Sequence, residues 1–90
     1  MKLKNILAGL NYKIKSGNID VDISDIVYDS RKVVKGCCFV CLSGSNVDGH
    51  EFALDAVKNG AVAIICEKDL AIENVCNIIV DDSRYALSIM

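Results

Sequence analysis

The sequence predicts an α/β fold: a small three-layer sandwich with a mainly parallel central sheet. Three observations predict it. Residues 37–42, 61–66 and 76–80 are strand-length apolar runs, the pattern of strands buried on both faces. Helical patterns alternate with them, and that alternation implies a parallel sheet covered by helices. With 52% hydrophobic residues, 24% charged residues and no Pro, the chain is a folded unit and not a disordered tail. Ninety residues make one small domain, which hides somewhat under roughly 70% of its unfolded surface on folding.

The elements follow in chain order. Leu3, Ile6, Leu7 and Leu10 fall at i, i+3, i+4 and i+7, one apolar face of a short helix that Gly9 and Asn11 end. Residues 12–15 form a short strand, and Ser16-Gly17-Asn18 is a turn signal. Ile19, Val21 and Ile23 alternate with Asp20 and Asp22, which predicts a half-exposed strand. Ile26, Val27 and Tyr28 lead into the polar stretch Asp29-Ser30-Arg31. After a turn at Lys35-Gly36 comes the first buried strand, then a loop over residues 43–49. Asp48 stands three residues before Glu51, the spacing of a capping box, and predicts a helix from Gly49 or His50 to Asn59 that buries Phe52, Ala53, Ala56 and Val57. Gly60 is its left-handed stop. Two further buried strands flank a polar connection over residues 67–74, and Asp81-Asp82-Ser83 caps a final helix. That helix has no stop signal, so a domain cut from a longer protein is expected.

Composition narrows the function classes. A net charge of −2 argues against nucleic acid or an anionic membrane as partner. The local basic cluster of Arg31, Lys32 and Lys35 reads equally as a solvated turn. No apolar run approaches the roughly 18 residues of a membrane helix. Asn11 and Lys13 break the N-terminal apolar stretch, unlike a secretory signal, so a cytoplasmic protein is expected. The five cysteines sit in apolar strand patterns, where a free thiol behaves as a small buried hydrophobe. Cys38 and Cys41 form a CxxC, but residues three apart on a strand point to opposite faces and cannot share a metal. No metal site is expected.

The polar stretches on either side of the 37–42 run carry the candidate chemistry. The sequence contains neither GxxxxGK[ST] nor GxGxxG, so no recognised phosphate cradle is present. His50 is the only histidine and has no nucleophile at a catalytic spacing, so it reads as a surface or capping residue and no catalytic residue is assigned. Asp29, at a strand end, suits acceptance of loop amides. Ser30 offers a hydroxyl at the carboxyl end of a strand, where α/β sheets bind ligands. Arg31 presents a planar fork for phosphate or carboxylate, or pairs with a neighbouring acid. Ser45, Asn46 and Val47 lie in a Gly-flanked loop that can offer amides to a base edge, as many ordinary loops can. These residues describe a polar ligand cleft, not a self-sufficient active site.

The succession YDSRKV, a glycine turn, FVCLSG, DGHEF, A-x-x-x-GA-x-AIICEK and VDDSRYALSIM resembles the N-terminal domain of the bacterial Mur ligases, a Rossmann-like domain, from about Ile23 onward. The Tyr before DSR, the Cys in FVCL and the DDSR ending resemble the branch that adds the third residue of the peptidoglycan stem peptide. The branch that adds D-Ala-D-Ala shares DSR and DGH. The resemblance implies that the chain binds the UDP-MurNAc portion of UDP-MurNAc-L-Ala-D-Glu. Ser30 and Tyr28 would line the uracil pocket, and Ser45, Asn46 and Val47 would contact the uridine. Arg31 and His50 match motif positions and are further binding candidates. Cys37 replaces a more commonly acidic residue. The unusual Ser-Asn-Val loop favours backbone over side-chain contacts.

In that family ATP and Mg2+ act in a central domain and the incoming amino acid is chosen by a C-terminal one. Neither lies within these 90 residues, so no cofactor is assigned to this chain and it is expected to be inactive alone. A monomer is expected, with the missing domains as its partners. Two rival readings stand beside this one: the D-Ala-D-Ala-adding branch, and a stand-alone interaction module on the same scaffold.

Overall fold

The computed structural model describes residues 1–42 and 49–90. Its elements are α1 (Leu3–Ile6), β1 (Tyr12–Ser16), β2 (Ile26–Val27), a 3-10 turn (Ser30–Lys32), β3 (Cys38–Val40), a second 3-10 turn (Gly49–Phe52), α2 (Ala53–Lys58), β4 (Ala63–Cys66), β5 (Cys76–Val80) and α3 (Ser83–Ile89). The strands form one sheet in the order β1-β5-β4-β3-β2, with β2, β3, β4 and β5 parallel and β1 antiparallel along the edge.

Strand alternation divides the core into two apolar layers, and the three-layer sandwich follows from it. Cys38, Val40, Ala63, Ile65, Cys76, Ile78 and Val80 face one side and pack with Leu3 and Leu7 of the N-terminal helical turn and with Ala86 of α3. Cys37, Phe39, Cys41, Ile64 and Cys66 face the other and pack with Ala53 and Ala56 of α2. Cys38 and Cys41 therefore lie in different layers, as their spacing requires. Fully buried side chains such as Phe39, Ile64 and Ile65 dominate this burial. Truncating one such side chain to Ala costs about 2–5 kcal/mol.

One expected strand is absent. Residues 19–23 alternate as predicted, with Ile23 buried and Ile19 and Val21 packed on the core, but they join no ladder. Their carbonyls instead receive the first amides of α1: Leu3 N–H donates to Val21 O at 3.0 Å and Lys4 N–H to Ile19 O at 2.9 Å. A helix start has amides without intrahelical partners, and this segment satisfies them. Only the isolated bridge between Lys2 and Asp22 has strand character.

The helix predicted from Gly49 or His50 begins as a 3-10 turn and becomes α-helical only at Ala53. The capping role expected of Asp48 falls outside the described residues. Gly60 ends the segment with φ of 121°, and a Cβ there would lie 2.7 Å from Lys35 Cα. This position admits only glycine for two reasons, conformation and contact.

Candidate ligand-binding site

Strand β2 ends at Val27 and β3 at Val40, and a cleft of about 460 Å³ opens beyond their carboxyl ends. Tyr28, Asp29, Ser30 and Arg31 form one wall, Leu42, Gly49 and Phe52 another, with Phe39 and Arg84 completing the lining. The carboxyl ends of parallel strands are where open α/β sheets take ligands.

The Asp29-Ser30-Arg31 wall is built by its own side chains. Asp29 has extended backbone and caps the 3-10 turn, accepting Arg31 N–H at 3.0 Å on Oδ1. The Arg31 guanidinium closes on the same carboxylate, Nε to Oδ1 at 3.1 Å and a terminal nitrogen to Oδ2 at 2.9 Å. The side-chain bonds from Arg31, followed by its backbone amide, hold the Asp29 carboxyl down at about 2. The structural reading of Asp29 is correct, and Arg31 adopts the neighbouring-acid pairing offered as its alternative. This clamp leaves Ser30 half-buried in the cleft, with no hydrogen bond to its Oγ among the described residues. Tyr28 is 60% exposed, so its ring can stack on a planar ligand group.

Gly49 completes the opposite wall. Its N–H donates to Leu42 O at 2.6 Å, and a Cβ would lie 2.7 Å from both Leu42 N and Leu42 O. Leu42 and Gly49, which flank residues 43–48, thus meet directly beside the cleft. Ser45, Asn46 and Val47, the loop residues singled out in the sequence, lie outside the described residues.

His50 departs from expectation. It is buried, not superficial, and its Nε2 accepts the Glu67 N–H at 3.0 Å. It lines a separate hollow with Leu54, Val57 and Leu70 and does not join the cleft lining. Arg84 was missed from sequence. The tripeptide Asp-Ser-Arg occurs twice, at 29–31 and 82–84, and the second copy was the available signal. In both copies the Asp caps the following helical turn, Asp82 accepting Tyr85 N–H at 3.1 Å.

A family profile described as "Mur ligase family, catalytic domain" matches residues 22–88. The chain belongs to the Mur ligase family. Among its relatives, a UDP-N-acetylmuramoyl-L-alanyl-D-glutamate--2,6-diaminopimelate ligase of Clostridium perfringens is 44% identical over 91 residues, covering 100% of this chain and 19% of the relative. The ligase of the same name from Fusobacterium nucleatum is 45% identical over 85 residues, covering 92% and 18%. A crystal structure of MurF from Acinetobacter baumannii superposes with a TM-score of 0.87 at 26% identity, covering 98% of this chain and 19% of that one. The chain thus spans about a fifth of the length of the curated relatives it matches. Its fold is shared with MurF, while the sequence relatives named here carry the diaminopimelate-adding name.

Proposed function

We infer that this Mur ligase chain is the UDP-substrate-binding N-terminal domain of a MurE-type enzyme, an ATP-dependent ligase that joins 2,6-diaminopimelate to UDP-MurNAc-L-Ala-D-Glu in peptidoglycan synthesis. The reading is carried by the cleft beyond β2 and β3, which combines an exposed aromatic ring, an uncommitted hydroxyl and two guanidinium groups. Tyr28 stacks on the uracil, Ser30 Oγ bonds its polar edge, and the 43–48 loop, through Ser45, Asn46 and Val47, supplies amides to the uridine. Arg31 contributes positive potential, with its fork engaged by Asp29. His50 acts as a support for the cleft rather than a contact.

Among the described residues no three His, Cys, Asp or Glu side chains cluster to hold a metal ion. ATP and Mg2+ are assigned to further domains of the full-length ligase, as its Mur ligase relatives suggest. No helix of the described residues is long and apolar enough to cross a membrane. A cytoplasmic, monomeric protein that works with its further domains accords with this role. The MurF fold likeness favours a second reading, a D-Ala-D-Ala-adding ligase using the same cleft. Both readings expect UDP-MurNAc to shift amide resonances at Tyr28, Ser30 and Gly49 in an NMR titration. Unchanged resonances at millimolar ligand would sink both. Assays of the full-length enzyme with diaminopimelate against D-Ala-D-Ala separate them.

A further inference from the structure

Arg84 reaches the cleft from the first turn of α3, and the residues on both sides of it are pinned by carboxylates. Tyr85 N–H is held by Asp82, from the helix's own cap. Ser83 N–H is held by Glu67 Oε2 at 2.8 Å, from the end of β4. Glu67 is itself fixed from a third element, its N–H donating to Nε2 of the buried His50 at 3.0 Å. A connected path therefore runs from the 3-10 turn at Gly49–Phe52, through the end of β4, to the turn that carries Arg84. The Ser83 hydroxyl is buried without a partner, so the polar contact of Ser83 here is its backbone amide. Glu67 does not line the cleft, and its charge is directed at an amide instead of at the ligand.

We propose that Arg84 is the cleft's contact for the diphosphate of a nucleoside-diphosphate ligand and that Glu67, seated by His50, is the residue that positions it. The proposal rests on the UDP-binding reading and adds to it a division between nucleoside and phosphate recognition. A guanidinium on a diphosphate acts through charge-assisted hydrogen bonds, which a neutral nucleoside cannot offer. Glu67 acts only through the geometry of the α3 turn, so an uncharged acceptor of the same shape serves in its place.

The test measures binding of UDP and of uridine to the 90-residue chain by calorimetry or NMR titration. Arg84→Ala is expected to weaken UDP roughly tenfold and to leave uridine within about twofold. Glu67→Ala is expected to reproduce much of that selective loss, and Glu67→Gln, which keeps an acceptor oxygen, to restore it. The Glu67→Ala, Arg84→Ala double variant should bind UDP no worse than Arg84→Ala alone, because the two act in series. An unchanged UDP-to-uridine ratio in Arg84→Ala overturns the phosphate contact while leaving the binding reading intact. Loss in Glu67→Ala that Glu67→Gln does not restore, in a variant with wild-type melting, overturns the positioning role. If the wild-type chain binds neither probe, the functional reading falls and this inference with it.

Discussion

The Asn77 side-chain amide donates to Ser16 Oγ at 2.8 Å, joining the edge strand β1 to its neighbour β5 from within the core. The same nitrogen reaches Ile72 O at 2.7 Å and Val75 O at 3.2 Å, so it also holds the connection between β4 and β5. Asn77 is fully buried, and its Oδ1 has no partner. Two carbonyl acceptors beside the nitrogen fix the orientation of the amide. Asn77→Ala is expected to cost about 2–4 kcal/mol, combining lost hydrogen bonds with a small cavity. Asn77→Asp should cost at least as much, because a carboxylate would face those carbonyls. Urea denaturation checks both, and a loss below about 0.5 kcal/mol in Asn77→Ala would show that the clasp contributes nothing.

The Asp29–Arg31 clamp makes a pH prediction whose sign follows from its geometry. Arg31 holds the Asp29 carboxyl at about 2 in the folded chain, below its ordinary value of 3.8. The folded form thus binds the proton less readily than the unfolded form. The clamp's contribution to stability is present above the unfolded value and is lost as pH falls through about 2. A carbon-13 NMR titration should give Asp29 a midpoint near 2, and Arg31→Ala should raise it toward 3.8. A midpoint indifferent to Arg31→Ala would assign the shift to another cause.

The five thiols offer a third test. All are buried, and burial pushes Cys37 and Cys76 up, Cys66 up to about 11, and Cys38 well beyond the ordinary thiol range. The thiolate is the reactive form, so thiol reagents at pH 8 should modify the native chain on the order of 100-fold more slowly than an exposed cysteine. All five should react at once in denaturant. A thiol that labels at the exposed rate in the native chain would contradict this packing.

Much of the scaffold was legible because burial writes a local pattern. The continuous apolar runs named three buried strands, the CxxC spacing put Cys38 and Cys41 in opposite layers, and Asp82 announced the start of α3. Residues 19–23 misled because alternation records which side chains face inward, not which backbone groups bond. Here the partners were the amides of α1, supplied from far earlier in the chain. His50 misled for a related reason: its partner, the amide of Glu67, is brought to it only by the fold. At the site, the Asp29 cap and Ser30 were readable from neighbouring residues, whereas Arg84 reaches the cleft only when α3 packs back onto the sheet.

The bond from Gly49 to Leu42 makes the segment between them a cassette. A backbone hydrogen bond closes its base, and the strand and helix on either side are packed by their own side chains. Loop-closure entropy grows only logarithmically with length, so doubling the cassette would cost about 0.6 kcal/mol. A chain built this way can exchange residues 43–48 for a stretch of another length or composition while its sheet stays unaltered. The clasp therefore confers evolvability: it separates the part of the molecule that must stay constant to fold from the part that is free to diverge.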